Sequence, residues 1–254
     1  IAFAGCDKVD NAIQRQPGTN GIDTVLGPLA RHKVLLEDYT GHHCGNCPAA
    51  AEIAENLQEQ YGEDLIVMAV HAGFWTWVDK KYPTSYTTTA GNDWNTHFIG
   101  ENGNYPCGMV NRKKYSGTSP VSDEEFWPTL ANKAFQEEFI VNLELSQEYQ
   151  PSSRLLDVRV KADFRKNYDK NLMISVVILE ESIIGPQTDY RNQAKPDITD
   201  SVFKHTLRGA VNGSWGTPLT TEAKAAGDSV IVSFNAFPIN AKFNDKHLSV
   251  VAFA

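Results

Sequence analysis

The sequence predicts an α/β unit followed by an all-β sandwich, and three observations carry that prediction. The stretch from "HKVLLEDYT" through a helical run to "DLIVMAVHAG" reads as strand, helix, strand, a right-handed crossover with a parallel pair. From about residue 139 the texture changes to strand-like runs, several of them alternating, divided by turn-rich segments. A chain of 254 residues with 41% hydrophobic residues is long enough for two cores.

Element by element, the chain opens on "IAFAGC", small residues leading into a cysteine. This reads as the tail of a lipoprotein signal peptide, with Cys6 as the lipidated residue and Phe3 where Leu is more usual. The polar "DKVDNAIQRQPGTNG" suits a tether leaving a membrane surface, so residues 1–32 are assigned to a leader remnant and tether. The compartment that follows is a bacterial envelope, where dithiols are open to oxidation.

In "HKVLLEDYT" a compact apolar run bounded by polar residues predicts a buried strand. The spacing predicts a helix over residues 48–61, with Ile53, Ala54, Leu57 and Tyr61 on one face and Gly62 as its stop. The run "DLIVMAVHAG" is a strand covered on both faces. Residues 73–105 are aromatic and polar without a sustained period, which predicts an insertion with a short helix near residues 93–99. "YPCGMVNRKKYSG" predicts a short strand entered through Pro106 and left through a turn. A last helix is expected from the capping box of Ser122 and Glu125, carrying Phe126, Leu130 and Ala134 inward, or else from Pro128 as a first-turn residue. This first domain spans residues 33–139. Beyond it, "FIVNLELSQEY", "RLLDVRVKADF", "NLMISVVILEESI", "DSVIVSFNAF" and "KHLSVVAFA" predict a separate antiparallel sandwich of immunoglobulin type over residues 140–254.

The formal net charge of -8, without long like-charge runs, argues against a nucleic-acid partner and a basic membrane-binding face. The longest apolar runs are far shorter than a bilayer span needs. The sequence predicts no cofactor and no metal. Asp189, Asp197 and Asp200 are too irregular for a calcium loop.

Chemistry concentrates in "YTGHHCGNCPAAAEIAENL". Cys44 falls where the helix begins, so the positive end of the dipole favours its thiolate, and Cys47 lies within disulfide reach as the resolving thiol. Three readings stay open: a redox dithiol, a static disulfide or a metal clip. So short a loop gains little entropy from closure, which weakens the purely stabilising reading. A zinc clip would recruit His42, His43, His71 or His97, and no second cysteine pair or spaced histidine pair supports it. Cys107 is read as a small hydrophobe turned away from the pair by strand alternation. His71 is read as a hydrogen-bonded structural histidine, and Glu37 as solvated or paired on the face opposite Asp38. Asp38, in a buried strand, must be satisfied or have a raised pKa, which suits proton exchange. Phe74, Trp75, Trp77, Tyr82, Tyr86 and Trp94 form either a binding surface over the dithiol, with Trp75 and Trp77 touching substrate, or the core of a lid. His205, Arg208, Asn212 and Trp215 could line a site, but a sheet corner uses the same residue types and the structural reading is preferred.

Over residues 33–139 the chain resembles the thioredoxin superfamily: "CGNC" opens the first long helix, Asp38 lies six residues before Cys44, and Tyr105-Pro106 precedes a strand. The resemblance implies that Asp38 exchanges a proton with Cys47. It also implies that Pro106 is a cis-proline packed on the dithiol and that Tyr105 and Pro106 hold a partner backbone. Where the superfamily often has Trp, this chain has His43, whose cationic form would favour the Cys44 thiolate. Little sequence remains between Lys114 and Val121 for the last strand of such a sheet. More widely, "VLLEDYTGHHCGNCPAAA", "VHAG", "YPCGMVNRK" and "HTLRGAVNGSWGTPL" together resemble the outer-membrane-protein 28 family of Gram-negative envelope proteins. That resemblance implies a surface or periplasmic lipoprotein anchored through Cys6. The leading expectation is thiol-disulfide exchange on extracytoplasmic proteins or peptides. The competing one is a surface binding, adhesion or receptor protein that uses the first domain as an inert scaffold.

Overall fold

The parallel core forms where the sequence is most apolar. In the computed structural model, which describes residues 6–9, 32–100, 103–115 and 117–254, β1 is Cys6–Val9, β2 Val34–Thr40, α1 Cys47–Tyr61 and β3 Leu65–His71. The lipidation expectation rests on the side chain of Cys6, which lies outside the described part, as do residues 1–5 and 10–31 of the leader and tether. Strands β2 and β3 run parallel, from Val34 opposite Leu65 to Thr40 opposite His71. Strand alternation sets Val34, Leu36, Asp38 and Thr40 on one face, called the front, and Leu35, Glu37 and Tyr39 on the back. Pro48 is tolerated in the first turn of α1, and Gly62 ends the helix at φ 60°. Its buried stripe, Ala50, Ala54 and Leu57, packs on the front of the sheet.

The insertion carries α2, Thr89–Trp94, capped by Thr88, whose Oγ1 accepts from the Gly91 N–H at 3.0 Å. It runs on into a π-helical turn, Asn95–Ile99, so the helix starts earlier than the sequence predicts. Strand β4, Cys107–Val110, pairs antiparallel to β2, with Gly108 opposite Asp38. The scant sequence before Val121 becomes a two-residue strand, β5, Val121–Ser122. Helix α3, Trp127–Phe135, takes the proline start. The capping-box expectation is therefore corrected: Ser122 belongs to β5 and no side chain caps the helix. Pro128 has no N–H to donate back to Glu124, so the α-helical ladder does not extend upstream of it and a 3-10 turn, Glu124–Phe126, leads in instead. Phe126 is consequently exposed and Trp127 is the residue that is buried.

After residue 139 come β6 Val141–Gln150, β7 Leu155–Phe164, β8 Leu172–Glu180, β9 Ile183–Thr188, β10 Asp197–Phe203, β11 Thr206–Ala210, β12 Thr217–Thr220, β13 Ser229–Pro238 and β14 Leu248–Phe253. Of these, β8, β11, β12 and β14 continue the sheet of the first half. A nine-stranded sheet runs β1-β14-β8-β11-β3-β2-β4-β5, with β12 also on β8, so strands of both halves share one ladder. The junction is the parallel contact of β11 with β3 at Thr206 and Ala69. Because β8 and β14 carry buried apolar side chains on both faces, one side of each feeds each of two cores. Ile174, Val176, Ile178 and Val250 face the three-stranded sheet β13-β7-β6, giving two stacked sheets. Val177, Leu179 and Val251 join Tyr39, Met68 and Trp94 on the back. The fold is mixed α/β, mostly β, and no helix among the described residues is long and apolar enough to cross a membrane.

Candidate functional site

Cys44 and Cys47 are joined by a disulfide with their Cα atoms 5.4 Å apart. Cys47 is the first residue of α1, and Cys44 sits in the turn before it, its N–H donating to Gly41 O at 3.0 Å. The positive end of the α1 dipole lies beside the pair and favours negative charge on sulfur. Yet both residues are nearly inaccessible, at 3% and 2% exposure.

Two segments cover this turn. From the insertion, Trp75 presses on Gly41, where an added Cβ would lie 2.5 Å from Trp75 O, and the His43 N–H donates to that oxygen at 3.1 Å. Both imidazoles donate Nε2–H to Trp77 O, at 2.8 Å from His42 and 3.0 Å from His43. The His43 ring stacks on Trp77 with centroids 3.6 Å apart, and burial keeps the His42 pKa below its ordinary value. Trp75 and Trp77, expected to touch substrate, thus roof the loop. His43 is engaged with that roof.

The second cover is the β9-β10 hairpin, which the sequence reading missed. Its chain runs along the cysteine loop: Thr188 N–H donates to His42 O at 2.9 Å and Tyr190 N–H to Gly45 O at 2.8 Å. The buried Gln187 amide donates to Cys44 O at 3.0 Å. The Tyr190 ring lies so close to Gly45 that a Cβ there would approach it to 2.5 Å.

Between α1 and this hairpin lies a cavity of about 400 Å³ that reaches Cys47, with Asp38, Ala69 and His71 below it. Asp38 is 2% exposed and its Oδ1 has no hydrogen-bond partner. Burial, with a smaller contribution from Glu124, pushes its pKa up to about 7. Burial likewise holds His71 down to about 3, so its ring is neutral, and its Nδ1 is unpartnered. The ring meets Phe203 edge-on at 5.3 Å, a contact in place of the hydrogen bond expected of it. His205 also lines the cavity: Nδ1 sits 2.7 Å from Glu181 Oε1 and Nε2 is unpartnered. A carboxyl whose pKa is pushed up to about 7, lining the same cavity as a disulfide cysteine, can accept and return a proton.

The remaining candidates are placed as follows. The Tyr105-Pro106 bond is cis, Pro106 is buried, and the Tyr105 hydroxyl donates to Asn95 Oδ1. Cys107 stands opposite Tyr39 in the back core, and burial pushes its thiol up to about 12. Glu37 makes a two-pronged pair with Arg112 at 2.6 and 2.7 Å. Arg208 pairs with Glu180 at 3.0 Å over the Phe243 ring, and Asn212 brackets β8 by accepting from Val176 N–H and donating to Ile174 O. Trp215 packs against His97, away from the cysteine loop. Among the described residues no group of three or more His, Cys, Asp or Glu is arranged to hold a metal ion.

A family model described as outer membrane protein Omp28 matches residues 94–254. Of solved structures, HBP35 of Porphyromonas gingivalis aligns at TM-score 0.62 and 18% identity, over 87% of this chain and 68% of that one. A structural-genomics protein from Agrobacterium tumefaciens aligns at TM-score 0.48 and 16% identity, over 82% and 81%. At these identities the first shares a fold with this chain and nothing more is taken from it. No curated protein is a significant match.

Proposed function

The chain belongs to the outer membrane protein Omp28 family, and from that premise we propose a cell-envelope protein whose Cys44–Cys47 pair performs thiol-disulfide exchange. One observation carries the reading: Asp38, buried and unpartnered with a pKa near 7, shares a cavity with Cys47. A carboxyl held so serves no structural pair, and proton exchange with a leaving or attacking thiolate is the use its position offers. The parallel β2-α1-β3 unit and the cysteine pair at the head of α1 support reading residues 33–139 as a thioredoxin-like domain. Residues 140–254 are then the immunoglobulin-like part that orients it.

In this reading Cys44 forms the mixed disulfide with an extracytoplasmic protein, Cys47 attacks that bond and releases the partner thiol, and Asp38 takes the proton of Cys47. Tyr105 and Pro106 hold the partner chain, and Cys6 carries a lipid anchor. A second reading, a surface binding protein with an inert disulfide, is favoured by the roof over Cys44. Equilibration of a Cys107→Ala variant with glutathione separates the two. A potential between about -270 and -120 mV supports exchange, and one well below about -300 mV overturns it in favour of the scaffold.

A further inference from the structure

The cavity behind the disulfide reaches a different sulfur from the one that exchange partners would meet. The turn around Cys44 is covered by Trp75 on Gly41, Trp77 on His43 and Tyr190 on Gly45, whereas Cys47 lines the cavity and Cys44 does not. Three polar atoms at or above nine-tenths burial, Asp38 Oδ1, His71 Nδ1 and His205 Nε2, belong to residues that line it and have no partner in the chain. Buried polar atoms left unpaired cost about 1–3 kcal/mol each, so three on one cavity point to something that occupies it and completes them. Apolar walls from Ala54, Val67 and Phe203 surround those groups, and at about 400 Å³ the space falls within the range of small-molecule sites. At the rim, Arg191 and Lys204 of the hairpin side are tied to Glu52 and Glu55 of α1 at 2.5 and 2.9 Å. Those cations are neutralised, and the interior offers hydrogen bonds without a fixed charge.

We propose that this cavity admits a low-molecular-weight thiol, which attacks Cys47 from the cavity side and so reduces the disulfide while the roof over Cys44 stays in place. The inference rests on the exchange reading above and names the electron donor for it. The chemistry balances. The incoming thiol gives its proton to the Asp38 carboxylate, its sulfur bonds to Cys47, and the Cys44–Cys47 bond breaks with the electron pair leaving on Cys44. That thiolate is stabilised by the start of α1 and takes a proton from water. A second small thiol, releasing its proton to water, then attacks the mixed disulfide at the bound small-molecule sulfur, which frees Cys47 as a thiolate. Cys47 recovers a proton from Asp38. Two small thiols become one small disulfide, and their two electrons and two protons end on the protein dithiol. His71 and His205 are binding residues for the polar part of the thiol.

The test is the rate at which 2-mercaptoethanol, glutathione and a protein dithiol such as a thioredoxin reduce the Cys107→Ala protein. It is compared with the same protein carrying Ala51→Phe, which fills the cavity from the half-buried face of α1, or Tyr190→Ala, which loosens the hairpin. The expected result is a fall of about tenfold or more with both small thiols in Ala51→Phe, with the potential unchanged, and little change in Tyr190→Ala. A direct readout accompanies it: single-cysteine variants treated with oxidised glutathione should form the mixed disulfide faster on Cys47 in Cys44→Ser than on Cys44 in Cys47→Ser, read by mass spectrometry. If the disulfide is reducible but Ala51→Phe is neutral, or Tyr190→Ala accelerates the small thiols, entry is at Cys44 and this inference alone fails. If neither small thiols nor the protein dithiol reduce the pair, the exchange reading fails with it.

Discussion

Glu37 and Asp38 are adjacent on β2, and both carboxyl groups are buried, at 0% and 2% exposure. Alternation sends them to opposite faces of the sheet, where they meet opposite fates. On the back, Glu37 is held by both prongs of Arg112, whose guanidinium lies 4.4 Å from the centroid of Trp94 and 5.0 Å from that of Phe253. On the front, Asp38 faces no cation, and its ionisation is deferred to a pKa near 7. The same desolvation is thus answered in one case by a partner and in the other by a proton. A buried carboxyl with a dedicated cation belongs to the architecture; one left to titrate is available to chemistry.

The comparison breaks most severely at its cation. Arg112→Met leaves Glu37 buried and alone, and should cost about 3–5 kcal/mol in urea unfolding, most of it recovered by Glu37→Leu in the same chain. A loss under about 1 kcal/mol would mean that the back face is not held by charge pairing. The front face is tested by pH. Asp38 binds its proton more tightly folded than unfolded, since its pKa rises from 3.8 to about 7. Its favourable contribution is therefore complete below pH 3.8 and lost as the pH climbs through 7. From this group stability should fall by roughly 1 kcal/mol per pH unit inside that window. Asp38→Asn should abolish that slope and be the more stable protein at pH 8 by about 2–4 kcal/mol, while slowing exchange. A wild-type profile as flat as that of Asp38→Asn would count against the raised pKa.

Smaller effects sharpen the contrast. Gly45→Ala forces its new methyl against Tyr190 and should loosen the hairpin on the front face, costing about 1–2 kcal/mol and raising hydrogen exchange in β9. On the back, Cys107→Ala should cost about 1 kcal/mol and leave the potential of Cys44–Cys47 untouched. Glu52→Gln removes one exposed rim pair with Arg191 and should cost less than about 0.5 kcal/mol.

Much of this was legible where local physics dominates. The run Leu65–His71 is apolar at almost every position, and that alone marks a strand with both faces covered, just as Pro48 and Gly62 mark the ends of α1. The cysteine pair and Asp38 follow from spacing on those elements. The hairpin was not legible, because "IIGPQT" carries Gly and Pro in its interior and its pairing with β10 is broken by a bulge between Ile198 and Ser201. Neither strand presents a period of two, so neither announces itself. His205 fails for a related reason: its place in the cavity depends on that hairpin and on the parallel contact of β11 with β3, both long-range. The same contact is why a change of texture at residue 139 reads as a domain boundary when the hydrogen-bonded sheet passes straight through it.

That continuity has a consequence for biosynthesis. A chain made and exported from its N-terminal end presents Cys44 and Cys47 long before Thr206–Ala210 arrives to close the open edge of β3. Until Ile183–Thr188 follows it across the membrane, nothing from the second half lies over the cysteine turn. An oxidant acting before then would meet these thiols on a half-finished sheet. Once the later strands dock, the window for that encounter closes, and the redox state set during export becomes the one the mature protein starts from.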